Sequence, residues 1–177
     1  QIDLTKENIT YFENIEQQLT HISVEDIDDI REELAEQGYM KQRKQKNKKK
    51  KPTIQLQEYV STDGDTMLVG KNNKQNDYLT NKKASKQHLW FHTKDIPGSH
   101  VVILNDTPSE NTIKEAAMLA GYFSKAGNSG QIPVDYTEIK HVHKPSGAKP
   151  GFVTYDHQKT LYATPDYDHI QKMKVTS

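Results

Sequence analysis

The sequence predicts an α+β fold: a largely antiparallel or mixed sheet with one or two packed helices, preceded by a helical hairpin or the end of a coiled coil. Three observations carry this. Apolar residues in the first 40 positions recur at helical spacing. Residues 55–60 and 66–69 read as strands on either side of the hairpin turn signal Asp63-Gly64-Asp65. One well-capped amphipathic helix is signalled from Thr112 onward.

In residues 1–40, Thr5 is placed to cap a helix whose Ile9, Phe12, Ile15 and Leu19 fall three and four apart. Ser23 with Asp26 offers a weaker capping box, followed by Ile27, Ile30 and Leu34 on one face and Gly38 as a stop. The segment holds 11 acidic and 2 basic side chains, a net of −9. A thin apolar stripe between acidic faces suits a hairpin or coiled-coil end. The expectation is a solvated pair with no binding role of its own.

Residues 41–52 read as a basic linker. Lys41, Arg43, Lys44, Lys46, Lys48, Lys49, Lys50 and Lys51 supply eight positive charges with no negative one between them. Like charges this dense repel one another and favour an extended chain. Phosphate contact through such a run is steeply salt-dependent, and lysine suits nonspecific phosphate contact better than bidentate base readout.

Residues 53–177 carry 14 basic and 13 acidic groups, so the net charge of zero hides an acidic, a basic and a neutral segment. After the first two strands, Asn76 or Asp77 is expected to cap a short helix ending near Lys83. Strands follow at 88–91 and 101–104, linked by a Pro97-Gly98 turn. Thr112 and Glu115 form a capping box for a helix over 113–125, whose Ala116, Ala117, Leu119, Ala120 and Phe123 give a face small enough to sit close to a sheet. Further strands are expected near 134–143, 151–155 and 160–163, then a helical or irregular tail from Asp166.

Composition bounds the function. Hydrophobic residues make up 33% of the chain and mean hydropathy is −0.92, so part of it is expected outside the core. There are no cysteines, which removes disulfides and thiolate metal sites. No apolar run approaches the about 18 residues that span a bilayer, and no membrane association is expected. The chain opens on Gln1 and reads as an excised fragment.

The chemical candidates sort quickly. Among eight histidines, His88 and His92 lie four apart and His141 and His143 two apart, with no carboxylate or cysteine at ligand-like spacing, so no metal site or cofactor is expected. Ser99 and His100 would point to opposite faces of a strand and make a poor nucleophile–base pair. No phosphate-binding glycine loop is present. No enzyme is expected. Nucleic-acid contact has more support: Lys71, Asn72, Asn73, Lys74, Gln75, Asn76 and Asp77 gather amides and charge, with Lys82, Lys83 and Lys86 close behind. Trp90 and His92 share a strand face and offer stacking surfaces, while Phe91 is expected in the core. Gly98 and Ser99, in a tight turn before His100, and Lys144 and Lys149, in a rigid basic loop where each is followed by a proline (Pro145 and Pro150), complete the expected RNA-binding set with His100.

Four ordered blocks carry a family resemblance: Gly70-Lys71-Asn72 with Gln75-Asn76-Asp77 and Leu79, then Trp90-Phe91-His92, then Pro97-Gly98-Ser99-His100-Val101, then the run from Lys144 to Gly151. Over about residues 53 to 165 the chain resembles the NFACT-R domain that ends bacterial RqcH-like proteins, also called the fibronectin-binding protein A family. The resemblance implies a coiled-coil end, a linker and an RNA-binding domain. It implies a cytoplasmic factor of ribosome-associated quality control that binds obstructed large subunits carrying peptidyl-tRNA and supports alanine tailing. Implied partners are large-subunit rRNA, tRNA and the amino-terminal domains of the same protein. The older name suggests fibronectin and a cell-surface role instead. A third reading is a structural domain docking on its own protein, with the amide patch facing that partner.

Overall fold

The computed structural model describes residues 5–41, 54–127 and 129–176. Two helices come first, α1 (Lys6–His21) and α2 (Val24–Glu36). Thr5 caps α1 by accepting a hydrogen bond from the Asn8 amide at 3.2 Å, and α2 stops before Gly38, whose φ of +84° suits a residue without a side chain. Most of the basic segment, Arg43 to Lys51, lies outside the described residues.

The domain is built on a six-stranded sheet of order β1-β2-β4-β3-β5-β8: β1 (Gln57–Val60), β2 (Thr66–Val69), β3 (Leu89–Thr93), β4 (Val101–Ile103), β5 (Ile132–Glu138) and β8 (Lys159–Ala163). Every neighbouring pair is antiparallel. A separate two-stranded ribbon joins β6 (Val142–His143) to β7 (Thr154–Tyr155).

Strand alternation divides the core between the two sheet faces. Met67, Val69, Phe91, Val101, Ile103 and Val134 face α4 (Glu110–Tyr122), whose Ala116, Ala117 and Ala120 let it lie close, with Ile170 and Met173 of α5 (Tyr167–Met173) completing that layer. Leu68, Trp90 and Val102 face the other way, onto Leu79, Ile139 and the β6–β7 ribbon. Phe91 is therefore core, as its position in the strand implied. Trp90 is also core, with no exposed surface.

Several local expectations shift. The short helix α3 (Asn73–Tyr78) is capped by Asn72, not Asn76 or Asp77: the Asn72 side chain accepts from the Gln75 amide at 2.8 Å. It runs into a π-helical turn (Leu79–Lys83) closed by Ala84 N–H to the Leu79 carbonyl. The cap of α4 is Ser109, accepting from Thr112, and Glu115 instead takes hydrogen bonds from the Thr62 amide and hydroxyl. His141 lies in a 3-10 turn (Ile139–His141), so it does not share a strand with His143. In the hairpin, Tyr11, Ile15 and Ile30 form the buried cluster while Ile9, Leu19 and Ile27 stay exposed, because α1 turns Gln17 and Gln18 toward the domain.

Trp90→Ala is expected to cost about 3–5 kcal/mol in chemical denaturation, the loss for a large buried aromatic. A change below about 1 kcal/mol would instead mark an exposed ring.

Candidate nucleic-acid interface

The amide cluster is buried against the hairpin. Asn73, Gln75 and Asn76 are 3%, 1% and 1% exposed, and Asn72 is fully buried. At the centre is Asn73. Its backbone N–H donates to Gln18 Oε1 at 3.1 Å, its Oδ1 accepts from Gln18 Nε2 at 2.5 Å, and its Nδ2 donates to Glu33 Oε2 at 3.0 Å. The Tyr11 hydroxyl donates to the same Glu33 oxygen. Burial pushes the Glu33 carboxyl above the usual carboxylate range, and the bonds from Tyr11 and Asn73 oppose that rise.

The other amides and lysines have partners of the same kind. Gln75 Nε2 donates to Asp26 at 2.8 Å, and its Oε1 accepts from the Lys71 amide at 2.9 Å. Asn72 Nδ2 reaches Asp29 at 3.4 Å. Lys71 lies 3.9 Å from Asp26, and Lys74 lies 3.2 and 3.6 Å from Glu32 and Glu36. Asp26, Glu32 and Glu36 of the acidic first segment thus lie directly on the lysines of the patch. The expected solvated helix pair is a docked one, because its acidic face meets lysines and carboxamides.

Asn76 and Asp77 work inside the domain. Asn76 Oδ1 accepts from the His100 amide at 3.1 Å, and it sits so near Gly70 that any side chain there would collide with it. Asp77 accepts from the Gly151 amide at 2.8 Å and from Lys144 Nζ at 2.7 Å, fixing both ends of the 144–151 loop. Gly151, with φ of +81°, presses on Asn73. Lys149 donates to the Tyr39 hydroxyl at 3.0 Å and lies over the Tyr11 and Tyr39 rings at 5.4 and 5.0 Å. The first and last of the four sequence blocks therefore meet at one joint.

The middle blocks form an aromatic stack under the sheet. Trp90 and His92 are parallel, 5.8 Å apart, and His100 stands edge-on to both. His100 Nδ1 shares a 2.7 Å hydrogen bond with the Thr80 hydroxyl. Gly98 lets the chain close on Thr93 and Ser124, and the Ser99 amide donates to the Phe123 carbonyl.

Positive charge remains exposed elsewhere. Lys82 and Lys83 project from the π-helical turn and Lys86 from the turn after it, all exposed and without an ion pair among the described residues. The Lys86 carbonyl accepts from the Lys140 amide at 2.9 Å, which seats the 3-10 turn alongside. The fold also gathers His141, Asp156 and His157, a carboxylate beside histidines that linear spacing did not reveal. Sequence reading missed the acidic partners of the amides: Asp26, Asp29 and Glu33. The opposed charges of 1–40 and of Lys71 with Lys74 were the available signal.

This arrangement defines a class: a small antiparallel sheet domain with exposed lysines on and just after a π-helical turn, locked to a preceding helical hairpin. Residues 55–156 match the NFACT protein RNA binding domain, and residues 1–53 match the NFACT N-terminal and middle domains. The chain belongs to the NFACT family. It is 55% identical over 176 residues to the Rqc2 homolog RqcH of Bacillus subtilis (strain 168), a match covering 98% of this chain and 31% of that protein. It is 52% identical to the Rqc2 homolog RqcH of Streptococcus suis (strain 05ZYH33), covering 98% of this chain and 32% of that one. The chain therefore spans about a third of the length of these relatives. A solved structure of the C-terminal part of the fibronectin/fibrinogen-binding protein from Streptococcus suis superposes with a TM-score of 0.89 at 52% identity, covering 96% of this chain and 68% of that one.

Asn73→Ala would leave Gln18 and Glu33 short of partners, costing about 1–3 kcal/mol. The expected result is faster amide hydrogen exchange through α1 and α2 with the sheet unchanged; equal protection of the helices would rule out Asn73 as the joint. Burial holds His100 well below its ordinary 6.5 and His92 also below it. Depressed folded values mean that the stability of these neutral rings is complete above 6.5 and is lost as pH falls through the folded values. Glu33 acts in the opposite sense. The urea midpoint of His100→Gln should therefore fall less than that of the parent between about pH 7 and pH 5; an unchanged pH dependence would exclude His100 as the titrating group.

Proposed function

We propose that this chain is the RNA- and ribosome-contacting carboxyl-terminal module of a ribosome-associated quality-control factor. The observation that carries the reading is the division of its lysines. Among the described residues, Lys71, Lys74 and Lys149 are engaged by the hairpin and Lys144 by Asp77, while Lys82, Lys83 and Lys86 gather on one short stretch, exposed and unpaired; Lys94, Lys114, Lys159, Lys172 and Lys174 are also exposed without an ion pair but lie apart in sequence. Phosphate contact then falls on the π-helical turn and the turn after it, with Lys140, paired with Glu138 at 3.5 Å, alongside and Lys41 opening the basic segment. The amide cluster and the Trp90 stack hold this face in place without touching RNA. That departs from the sequence expectation, which put residues 71–77, Trp90, His92, Gly98, Ser99, His100, Lys144 and Lys149 at the RNA.

The family description and the Rqc2 homologs support the RNA and quality-control parts of this reading. In the parent, the module assists binding to large subunits obstructed by peptidyl-tRNA and the alanine tailing that follows. It has no bond-making step of its own and acts in the cytoplasm. Contacts with tRNA and with the amino-terminal domains belong to the same proposal. A fibronectin-binding role rests only on the name of the solved neighbour.

The test is co-sedimentation with purified large subunits over a salt series. Charge reversal at Lys82, Lys83 and Lys86 is expected to weaken binding strongly. The salt slope should drop by about 0.7 for each single-stranded phosphate that is no longer neutralised. Lys71→Ala with Lys74→Ala should loosen the hairpin and change affinity little. The opposite ranking would return RNA binding to the amide patch. Retention on immobilised fibronectin, with no ribosome binding, would replace the reading altogether.

A further inference from the structure

Asp156 and His157 follow β7, and His141 precedes β6. The ribbon pairing of Val142 with Tyr155 brings these sequence-distant positions to one end, where the Asp156 amide donates to the His141 carbonyl at 3.2 Å. One ligand atom from each of the three side chains lies within 4.8 Å of the other two. His141 Nδ1 is 3.3 Å from Asp156 Oδ1, and His157 Nδ1 is 2.8 Å from the same oxygen. The two imidazoles stack, with centroids 4.1 Å apart and planes 20° from parallel.

We propose that His141, Asp156 and His157 form a binding site for a divalent transition-metal ion, with zinc the best fit to two imidazoles and one carboxylate. Bonds of about 2.1 Å in a tetrahedron place neighbouring ligand atoms about 3.4 Å apart. The His141–Asp156 separation already matches that edge. The His157–Asp156 hydrogen bond must open by about 0.6 Å to reach it, and the stacked rings must swing apart so that their in-plane lone pairs converge on the ion, shifts made by side-chain rotation at this surface position. Two imidazoles disfavour magnesium and calcium, which take oxygen ligands.

The backbone supports the same assignment. His157 has φ of +57°, one of two non-glycine residues in the left-handed region among the described residues. Histidine tolerates that region better than most residues but does not prefer it. Here it turns the ring back over Asp156 rather than out along the ribbon. Asp156 is held in turn by its carbonyl, which accepts from the Thr137 hydroxyl at 2.9 Å.

Three protein ligands leave one coordination position for water. A bound ion would join the chain before β6 to the chain after β7. That would close the open end of the ribbon whose far end carries Lys144 and Lys149. None of these ligands belongs to the amide joint, and the inference does not rest on the RNA reading.

The test is zinc binding to the chain, by competition with a chromophoric chelator in neutral buffer containing excess magnesium and by the ring resonances of its eight histidines. One equivalent of zinc is expected to bind and to move the His141 and His157 rings more than the other six. Binding should weaken in mildly acidic buffer, because a protonated imidazole cannot ligate. Asp156→Asn and His157→Asn should each weaken binding at least about tenfold. Asparagine keeps the left-handed backbone accessible at 157 and matches aspartate in size at 156, so both variants should stay folded without zinc. Zinc should raise the melting temperature of the parent more than that of either variant. No ring shift at about 0.1 mM zinc would overturn the site. Equal affinity in both variants would do the same, by assigning the binding to other histidines.

Discussion

The arrangement depends on one buried carboxamide. Asn73 is the first residue of α3, so its free backbone N–H points out of the helix start, and its side chain adds a donor and an acceptor at the same spot. Gln18 satisfies the N–H and the acceptor, and Glu33 satisfies the donor. One side chain thus ties both helices of the hairpin to the domain. Buried polar groups cost little when every partner is present and a good deal when one is missing. The joint is therefore defined in position more than it is strong. Gly151 has to be glycine because Asn73 occupies the space a side chain would fill, so the 144–151 loop is indexed to the same residue.

Charge follows from that geometry. Once α2 is docked, Asp26, Glu32 and Glu36 lie on Lys71 and Lys74, and partly exposed pairs of this kind contribute up to about 1 kcal/mol each. Their larger effect is on the field. They cancel the positive potential at the amide cluster and leave that of the π-helical turn standing. In a domain near neutrality by composition, the lysines beside the helices are thereby neutralised, while Lys82, Lys83 and Lys86 stay exposed without an ion pair among the described residues.

Much of the domain was legible in the sequence. Alternation in Met67-Leu68-Val69 and Trp90-Phe91 sorts the two sheet faces, and the alanines of α4 announce close packing on one of them. The Thr5 cap and the Gly38 stop were legible because capping chemistry is local. The candidate site was much less so. A run of amides looks the same whether it meets a ribose, a phosphate or a glutamate, since the donors and acceptors are identical. What decided it here was a contact between residues 55 positions apart, which no local pattern encodes. Thr112 misled for a similar reason. Its box with Glu115 was complete in sequence, yet Ser109 lay one turn earlier and Glu115 had Thr62 and His169 within reach.

The joint also fixes how the upstream chain leaves the domain. Tyr39 follows the Gly38 stop and is held by Lys149 across the face of its ring, so the hairpin ends against the 144–151 loop. Lys41 follows two residues later, and the described chain resumes at Ile54, just before β1. Both flanks of the basic segment are therefore anchored to one body. A segment tethered at two ends is confined to the neighbourhood of the body that holds both. That is a physical reason for a helical hairpin to be locked to an RNA-contact domain by carboxamides rather than left as a free tether.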